Sequence, residues 1–168
     1  TIFGKNPDKI WEFNNNNSYL IRNKKKIKLK DKPDRLIEKI IEDFKFETPK
    51  KLPKICSLIS GYFSYDSIRY IEKIPNKCKN DLNLPDVRLL RPRTLVIYDN
   101  LKKEIFYIIN IFSDEKIKDY AKKYEEIKIE LSKILIQSSL KISNYLSKKN
   151  IKDIKVKSNT SKNKFIKM

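Results

Sequence analysis

Apolar and polar positions alternate with period two in the opening stretch of the chain, which predicts strands. In KIWEF (9–13), Ile10 and Glu12 share one face while Trp11 and Phe13 share the other. The asparagine run 14–17 is turn chemistry, and SYLIR (18–22) supplies a return strand. After a second turn at Asn23–Lys25, KIKLK (26–30) alternates strictly, which places Ile27 and Leu29 inward and three lysines in water. The reading is an antiparallel meander with one wet face.

The period then changes. Pro33 and Asp34 open a helix whose Leu36, Ile37, Ile40, Ile41 and Phe44 fall on one stripe, so this helix is expected to pack on the sheet. A lysine- and proline-rich connection, Thr48–Pro53, precedes ICSLISGYFSYD (55–66), read as a strand running into a turn. Asp66 is the expected N-cap of a short helix over 67–74. Residues 75–87 carry the breakers Pro75, Asn76, Asn80, Asp81 and Pro85 and read as loop. Two strands come next, TLVIYD (94–99) and EIFYIINIF (104–112), joined at Asn100. The second is apolar on both faces, which predicts a covered, central strand.

Ser113 is the expected cap of a long helix, with Asp114 and Glu115 in its first turn. Its stripe is Ile117, Tyr120, Ala121, Tyr124, Ile127, Leu131, Ile134 and Leu135. Gln137–Ser139 is a weak point, beyond which the pattern resumes through Ile142, Tyr145 and Leu146. From Lys148 the chain is lysine-rich, until Ser158 or Thr160 reads as the cap of a final helix. The chain opens on Thr1 without an initiator methionine and closes in that barely begun helix, so both ends read as cut. The fold class is α+β, an antiparallel or mixed β-sheet layer with packed helices.

Length and composition bound the function. A chain of 168 residues holds one core, or one core and part of another. No apolar run approaches the roughly 20 residues of a membrane span, and no secretory signal is present, so the expected location is cytoplasmic, with no membrane partner. Cys56 and Cys78 read as ordinary reduced thiols, one in or near the core, with a disulfide between them as the alternative. Histidine is absent, which removes the usual general base near neutral pH and the common zinc ligand. The net charge of +18 invites a nucleic-acid reading, but 33 of the 39 basic residues are lysine and alanine occurs once. Biased nucleotide composition accounts for that pattern, and the lysines are spread along the chain rather than gathered beside arginines. No nucleic-acid partner is expected, and a lysine-rich nucleic-acid-binding module is kept as an alternative.

The most unusual stretch is GYFSYDSIRY (61–70), which surrounds one of only two glycines with four aromatics. Periodicity makes it a packed core strand, with Gly61 permitting close approach of another backbone. Asp66 and Arg69 read as an ion pair rather than a substrate clamp. The order GYFSYDSIRYIE (61–72), NLPDVRL (83–89), TLVIYDNLKKEIFYI (94–108) resembles the amino-terminal region of anthranilate synthase component I. That family has a Gly-Tyr-x-x-Tyr-Asp strand, an Arg-Tyr pair, a Leu-Pro-Asp loop and two strands around an aspartate turn. TIFGKNPDKIWEF (1–13) is similar to the family's segment before its first strands, and SNTSKNKFIKM (158–168) resembles the start of its chorismate-binding domain. Ser57 and Leu58 depart from the glycine pair usual before the Gly-Tyr element.

The resemblance implies residues 1–147 as the amino-terminal domain, incomplete at its start, of a larger chorismate-utilising enzyme. Residues 148–168 would be linker and the beginning of the chorismate-binding domain. The complete protein would be a lyase of tryptophan biosynthesis, making anthranilate and pyruvate from chorismate and ammonia. It would use Mg2+, a glutamine amidotransferase subunit as partner, and tryptophan as a candidate feedback inhibitor. The chain itself would be an inactive scaffold and regulatory piece. The family's inhibitor-binding element would lie before Thr1, and its chorismate and magnesium residues beyond Met168. No catalytic, cofactor-binding or metal residue is therefore assigned in this sequence. Component I of aminodeoxychorismate synthase, which shares the Gly-Tyr-x-x-Tyr-Asp strand, is the alternative within the superfamily.

Overall fold

Strand β1 (Ile2–Asn14) runs antiparallel to β2 (Asn17–Arg22), which runs antiparallel to β3 (Lys25–Leu29). This computed structural model describes residues 1–76, 82–139, 158 and 160–167. Asparagine tolerates the left-handed backbone that tight hairpins need, and Asn15 takes φ 50° in the first turn. In the second, Asn23 and Lys24 take φ 51° and 62°, the paired positive φ of a two-residue hairpin. The register Trp11↔Leu20↔Ile27 and Phe13↔Ser18↔Leu29 gathers the predicted inward residues on one face. Ile27 is nonetheless 51% exposed. It lies on the outermost strand, whose other edge pairs with no strand among the described residues. Lys24, Lys25, Lys26, Lys28, Lys30 and Lys32 stand exposed along this rim.

Helix α1 (Pro33–Asp43) packs on that face, with Pro33 in its first turn as the sequence predicts. Leu36 and Ile40 join Trp11, Phe13, Val87 and Leu89 in the main core, with Leu20, Leu29, Ile37, Ile59 and Tyr70 at its margin. The apolar stripe is narrower than expected: Ile41 is 64% exposed, and the helix stops before Phe44.

The expected strand over 55–66 shrinks to β4 (Ser60–Phe63). Residues 50–59 are irregular, although Cys56 within them is buried beside Leu95, Ile97 and Ile108. Cys78 lies outside the described residues. The core-strand reading of the aromatic stretch is also overturned, because β4 is an edge: it pairs on one side only, and Tyr62, Phe63 and Tyr65 are 41%, 57% and 88% exposed. After Ser64 the chain winds into a 3₁₀ segment, Tyr65–Tyr70, and Asp66 sits inside its first turn rather than capping it.

Strand β5 (Val87–Asp99) is the true centre of the sheet and is longer than expected. It pairs with β1 along one side, and along the other with β4 at its start and β6 (Glu104–Ile109) at its end. The apolar faces of β6 made it look central. It pairs only with β5, and Ile105 is 52% exposed. All pairings are antiparallel, in the order β3-β2-β1-β5-β4 with β6 beside β5. The α+β expectation holds in its antiparallel form.

Helix α2 (Tyr120–Ser139) lies against β6 and begins later than predicted. Asp119 caps it, its Oδ1 accepting the Lys122 N–H at 3.0 Å, while Asp114 and Glu115 are drawn into ion pairs with the sheet. The short α3 (Lys162–Ile166) is capped by Ser161, not by Ser158 or Thr160, through the Lys164 N–H at 3.3 Å. The expected resumption of α2 through Ile142, Tyr145 and Leu146, and the domain boundary after residue 147, lie outside the described residues.

Candidate functional site

Two assemblies of polar side chains join elements that are distant in sequence. The first gathers at Asp86 of the Leu-Pro-Asp loop. One carboxylate oxygen, Oδ2, accepts the Asn15 N–H at 2.7 Å and the Tyr70 hydroxyl at 2.8 Å. The Asp86 backbone bridges the two sides of the junction, donating to Phe13 O at 2.8 Å and accepting from Ser64 N at 2.7 Å. Tyr62 adds its hydroxyl to Pro85 O at 3.1 Å. A single loop residue thus ties the β1–β2 turn to the 3₁₀ segment beside β4. The cleft alongside, ≈ 510 Å³, is lined by Asn15, Tyr62, Arg69, Tyr70, Leu84 and Asp86 among others.

The electrostatics of this junction are those of a fastening. Burial, together with donation to Asp86, pushes the Tyr70 phenol far above its ordinary value, so it stays a proton donor and is no base near neutral pH. Arg69 is paired with Asp66, as the sequence predicts, and also reaches Pro75 O at 3.5 Å. Its two terminal nitrogens are thus engaged with neighbouring groups, while its Nε is buried without a hydrogen-bond partner. Replacing Asp86 with alanine should cost about 2 kcal/mol, since it strands a half-buried phenol and a backbone N–H together. Tyr70→Phe, which leaves the carboxylate one partner, should cost about 1 kcal/mol. Denaturant midpoints of the two variants check the order.

The second assembly centres on Arg91 in mid-β5. Its Nε donates to Asp8 Oδ1 at 2.9 Å and its terminal nitrogen to Asp8 Oδ2 at 2.5 Å, a two-pronged contact with a carboxylate only 5% exposed. The same guanidinium donates to Asp114 at 2.9 Å and lies 3.7 Å from the centre of the Phe112 ring. Lys9 pairs with Asp114 from the other side. Beside them Arg93 holds Glu115 at 2.9 Å, while Glu115 accepts the Phe112 N–H at 2.9 Å. Burial alone would lower the Arg91 guanidinium, but its hydrogen bonds with Asp8 and Asp114 outweigh that and raise it.

For Asp114, burial pushes the carboxyl up, while hydrogen bonds and charge from Lys9 and Arg91 pull it down to about 2 from an ordinary 3.8. A depressed carboxylate contributes stability that is present above its unfolded value and lost as pH falls through its folded value. The urea midpoint should therefore drop between about pH 4 and pH 2, and Asp114→Asn should flatten part of that drop. Because the group is partly exposed, the effect is modest, below about 1 kcal/mol.

Neither assembly pairs a nucleophile with a base, and the acids and bases in both are engaged with one another. Among the described residues no group of three His, Cys, Asp or Glu side chains is placed to hold a metal ion. The Mg2+ that the resemblance implies thus has no ligand set among the described residues. Sequence reasoning missed Arg91, Asp8 and Asp114 as a unit. The only available signal was three arginines, at 88, 91 and 93, inside a segment otherwise apolar enough to be a strand. Among the described residues no helix is long and apolar enough to cross a membrane.

No family model matches the chain. It is 30% identical over 171 residues to anthranilate synthase component 1 of Acetivibrio thermocellus, an alignment covering 98% of this chain and 34% of that protein. It is likewise 30% identical over 110 residues to anthranilate synthase component 1 of Cereibacter sphaeroides, covering 62% of this chain and 22% of that one. Among solved structures, anthranilate synthase component I from Streptococcus pneumoniae TIGR4 superposes with a TM-score of 0.66 at 20% identity, covering 86% of this chain and 30% of that chain. At that identity the superposition is a likeness of fold. The chain spans about a third of the length of the Acetivibrio thermocellus relative.

Proposed function

We propose that this chain, a homologue of anthranilate synthase component I over nearly all of its 168 residues, is the sheet-and-helix scaffold of such an enzyme and carries none of its chemistry. The observation that carries the reading is the pairing of 98% coverage here with 34% coverage there, in a chain whose best-shielded charges, Asp8, Arg91, Arg93 and Glu115, hold strands and turns together. The complete protein would convert chorismate and ammonia to anthranilate and pyruvate in the cytoplasm. It would use Mg2+, held by residues of a chorismate-binding domain that follows the boundary near residue 147, and ammonia from a glutamine amidotransferase subunit. Tryptophan would act as its feedback inhibitor. The Acetivibrio thermocellus and Cereibacter sphaeroides relatives support anthranilate synthase over component I of aminodeoxychorismate synthase.

The test is direct. The purified chain, given chorismate, ammonium and Mg2+, should produce no fluorescent anthranilate, and measurable turnover by this polypeptide alone overturns the scaffold reading. A lysine-rich nucleic-acid-binding module would instead bind duplex with an affinity that falls steeply as salt rises. The scaffold should show only weak, sequence-blind retention at low salt.

A further inference from the structure

Helix α2 is 20 residues long, yet none of its residues is buried. Ile127, Leu131 and Ile134 are half-buried on the side toward β6, while Tyr120, Tyr124, Leu135 and Ile136 stay 63%, 62%, 45% and 63% exposed. A helix within a protein takes most of its stability from packing of its apolar face. The apolar packing of α2 is thin. What fastens its approach is the turn at 112–115, and that turn is held by charge. Asp114 sits between Arg91 and Lys9, Glu115 is gripped by Arg93, and Phe112 is stacked under the Arg91 guanidinium. The three cations stand on β1 and β5, which pair with each other along most of their length, so one side of the contact is held by the sheet and the other leads into a weakly packed helix.

We propose that the contacts of Asp114 with Arg91 and Lys9, and of Glu115 with Arg93, form a charge latch that governs how often α2 undocks as a unit while β1 and β5 stay paired. The latch is a conformational device because its two halves differ in strength. Asp8 and Arg91 hold each other within the sheet whether or not the turn is present. Asp114, with a side chain 36% exposed, can leave without stranding a buried charge. Opening therefore needs the loss of the partly exposed Asp114 pairs, of the better-shielded Glu115–Arg93 pair and of a modest apolar face, which is less than opening the sheet. Cooperative units of unequal stability within one domain are the expected result.

Hydrogen exchange on the full chain, followed by mass spectrometry, tests this. Peptides from 120–139 should exchange through an opening separate from that of peptides within 87–97. Asp114→Asn should raise exchange of the helix roughly two- to fivefold, the size expected for a partly exposed charged contact, and leave 87–97 unchanged. In the unaltered chain, raising salt to 1 M shrinks the screening length to about 3 Å and should raise helix exchange in the same selective way. If Asp114→Asn and salt leave 120–139 unchanged, or if helix and strand peptides accelerate in step, the latch does not exist. The salt series stands independently of any variant's ability to fold.

Discussion

Replacing Arg91 with leucine should destabilise the fold by roughly 3–5 kcal/mol, more than the loss of either Asp86 or Asp114. The reason lies in the partner left behind. Asp8 is 5% exposed at its side chain, and Arg91 supplies both of its guanidinium contacts. Removing the cation leaves a buried carboxylate with neither water nor counter-charge, and Asp114 and the Phe112 ring lose a neighbour as well. The double variant Asp8→Asn, Arg91→Leu removes the charge together with its partner, and should recover a substantial part of the loss. A double-mutant cycle from urea midpoints measures the coupling directly. A fully additive cycle would show that the pair is not the source of the effect.

Gly61→Ala should be nearly as damaging, at about 3 kcal/mol, for a purely steric reason. A Cβ at this position would lie 1.9 Å from the Arg88 carbonyl oxygen and 2.9 Å from the Leu89 Cα. Both are backbone atoms of the central strand, so no side-chain rotation relieves the clash. Gly61 is opposite Leu89 in the β4–β5 register, and β4 has no second neighbour among the described residues. The least costly response is for β4 to leave, and hydrogen exchange in Ser60–Phe63 should then rise far more than in β1. By contrast, Gly4→Ala meets a Pro92 ring carbon at 3.1 Å and should cost less, because a shift of a few tenths of an ångström relieves that contact, whereas 1.9 Å from a carbonyl oxygen requires the strand to move.

The local parts of this fold were legible from residue order. The meander from β1 to β3 and the start of α1 follow from strict alternation, asparagine turns and a proline in the first helical turn, all of which act within a few residues. The errors came where a distant partner overrode local preference. The start of β5, 88–93, does not read as strand because Arg88, Arg91, Pro92 and Arg93 interrupt the apolar pattern; Arg88 reaches solvent, while Arg91 and Arg93 are accommodated in a central strand because Asp8 and Glu115 meet them. Strand β6 reads as central because it is apolar on both faces, but faces and edges are separate matters: α2 lies against it, while its outer edge has no partner strand among the described residues. The predicted cap at Ser113 failed because the acids after it had stronger partners in the sheet.

The Leu-Pro-Asp and aromatic motifs were visible in the sequence, whereas their union was not. Asp86 meets Asn15 across 71 positions and Tyr70 across 16, separations over which periodicity carries no information. The aromatic stretch was therefore correctly singled out and incorrectly placed. It is the rim of the sheet, fixed in position by a carboxylate far from it in sequence.

The lysine rim of β3 has an effect on how two such molecules would meet. An extended strand with unsatisfied N–H and C=O groups is the usual seed of sheet growth between copies, and β3 is such a strand. Two β3 rims approaching antiparallel would bring lysines opposite or diagonal to one another, with Cβ atoms of facing residues about 5 Å apart, and like charges directly opposite repel. Self-templating through this margin is therefore suppressed by its own sequence at low ionic strength, and concentrated salt should weaken that protection.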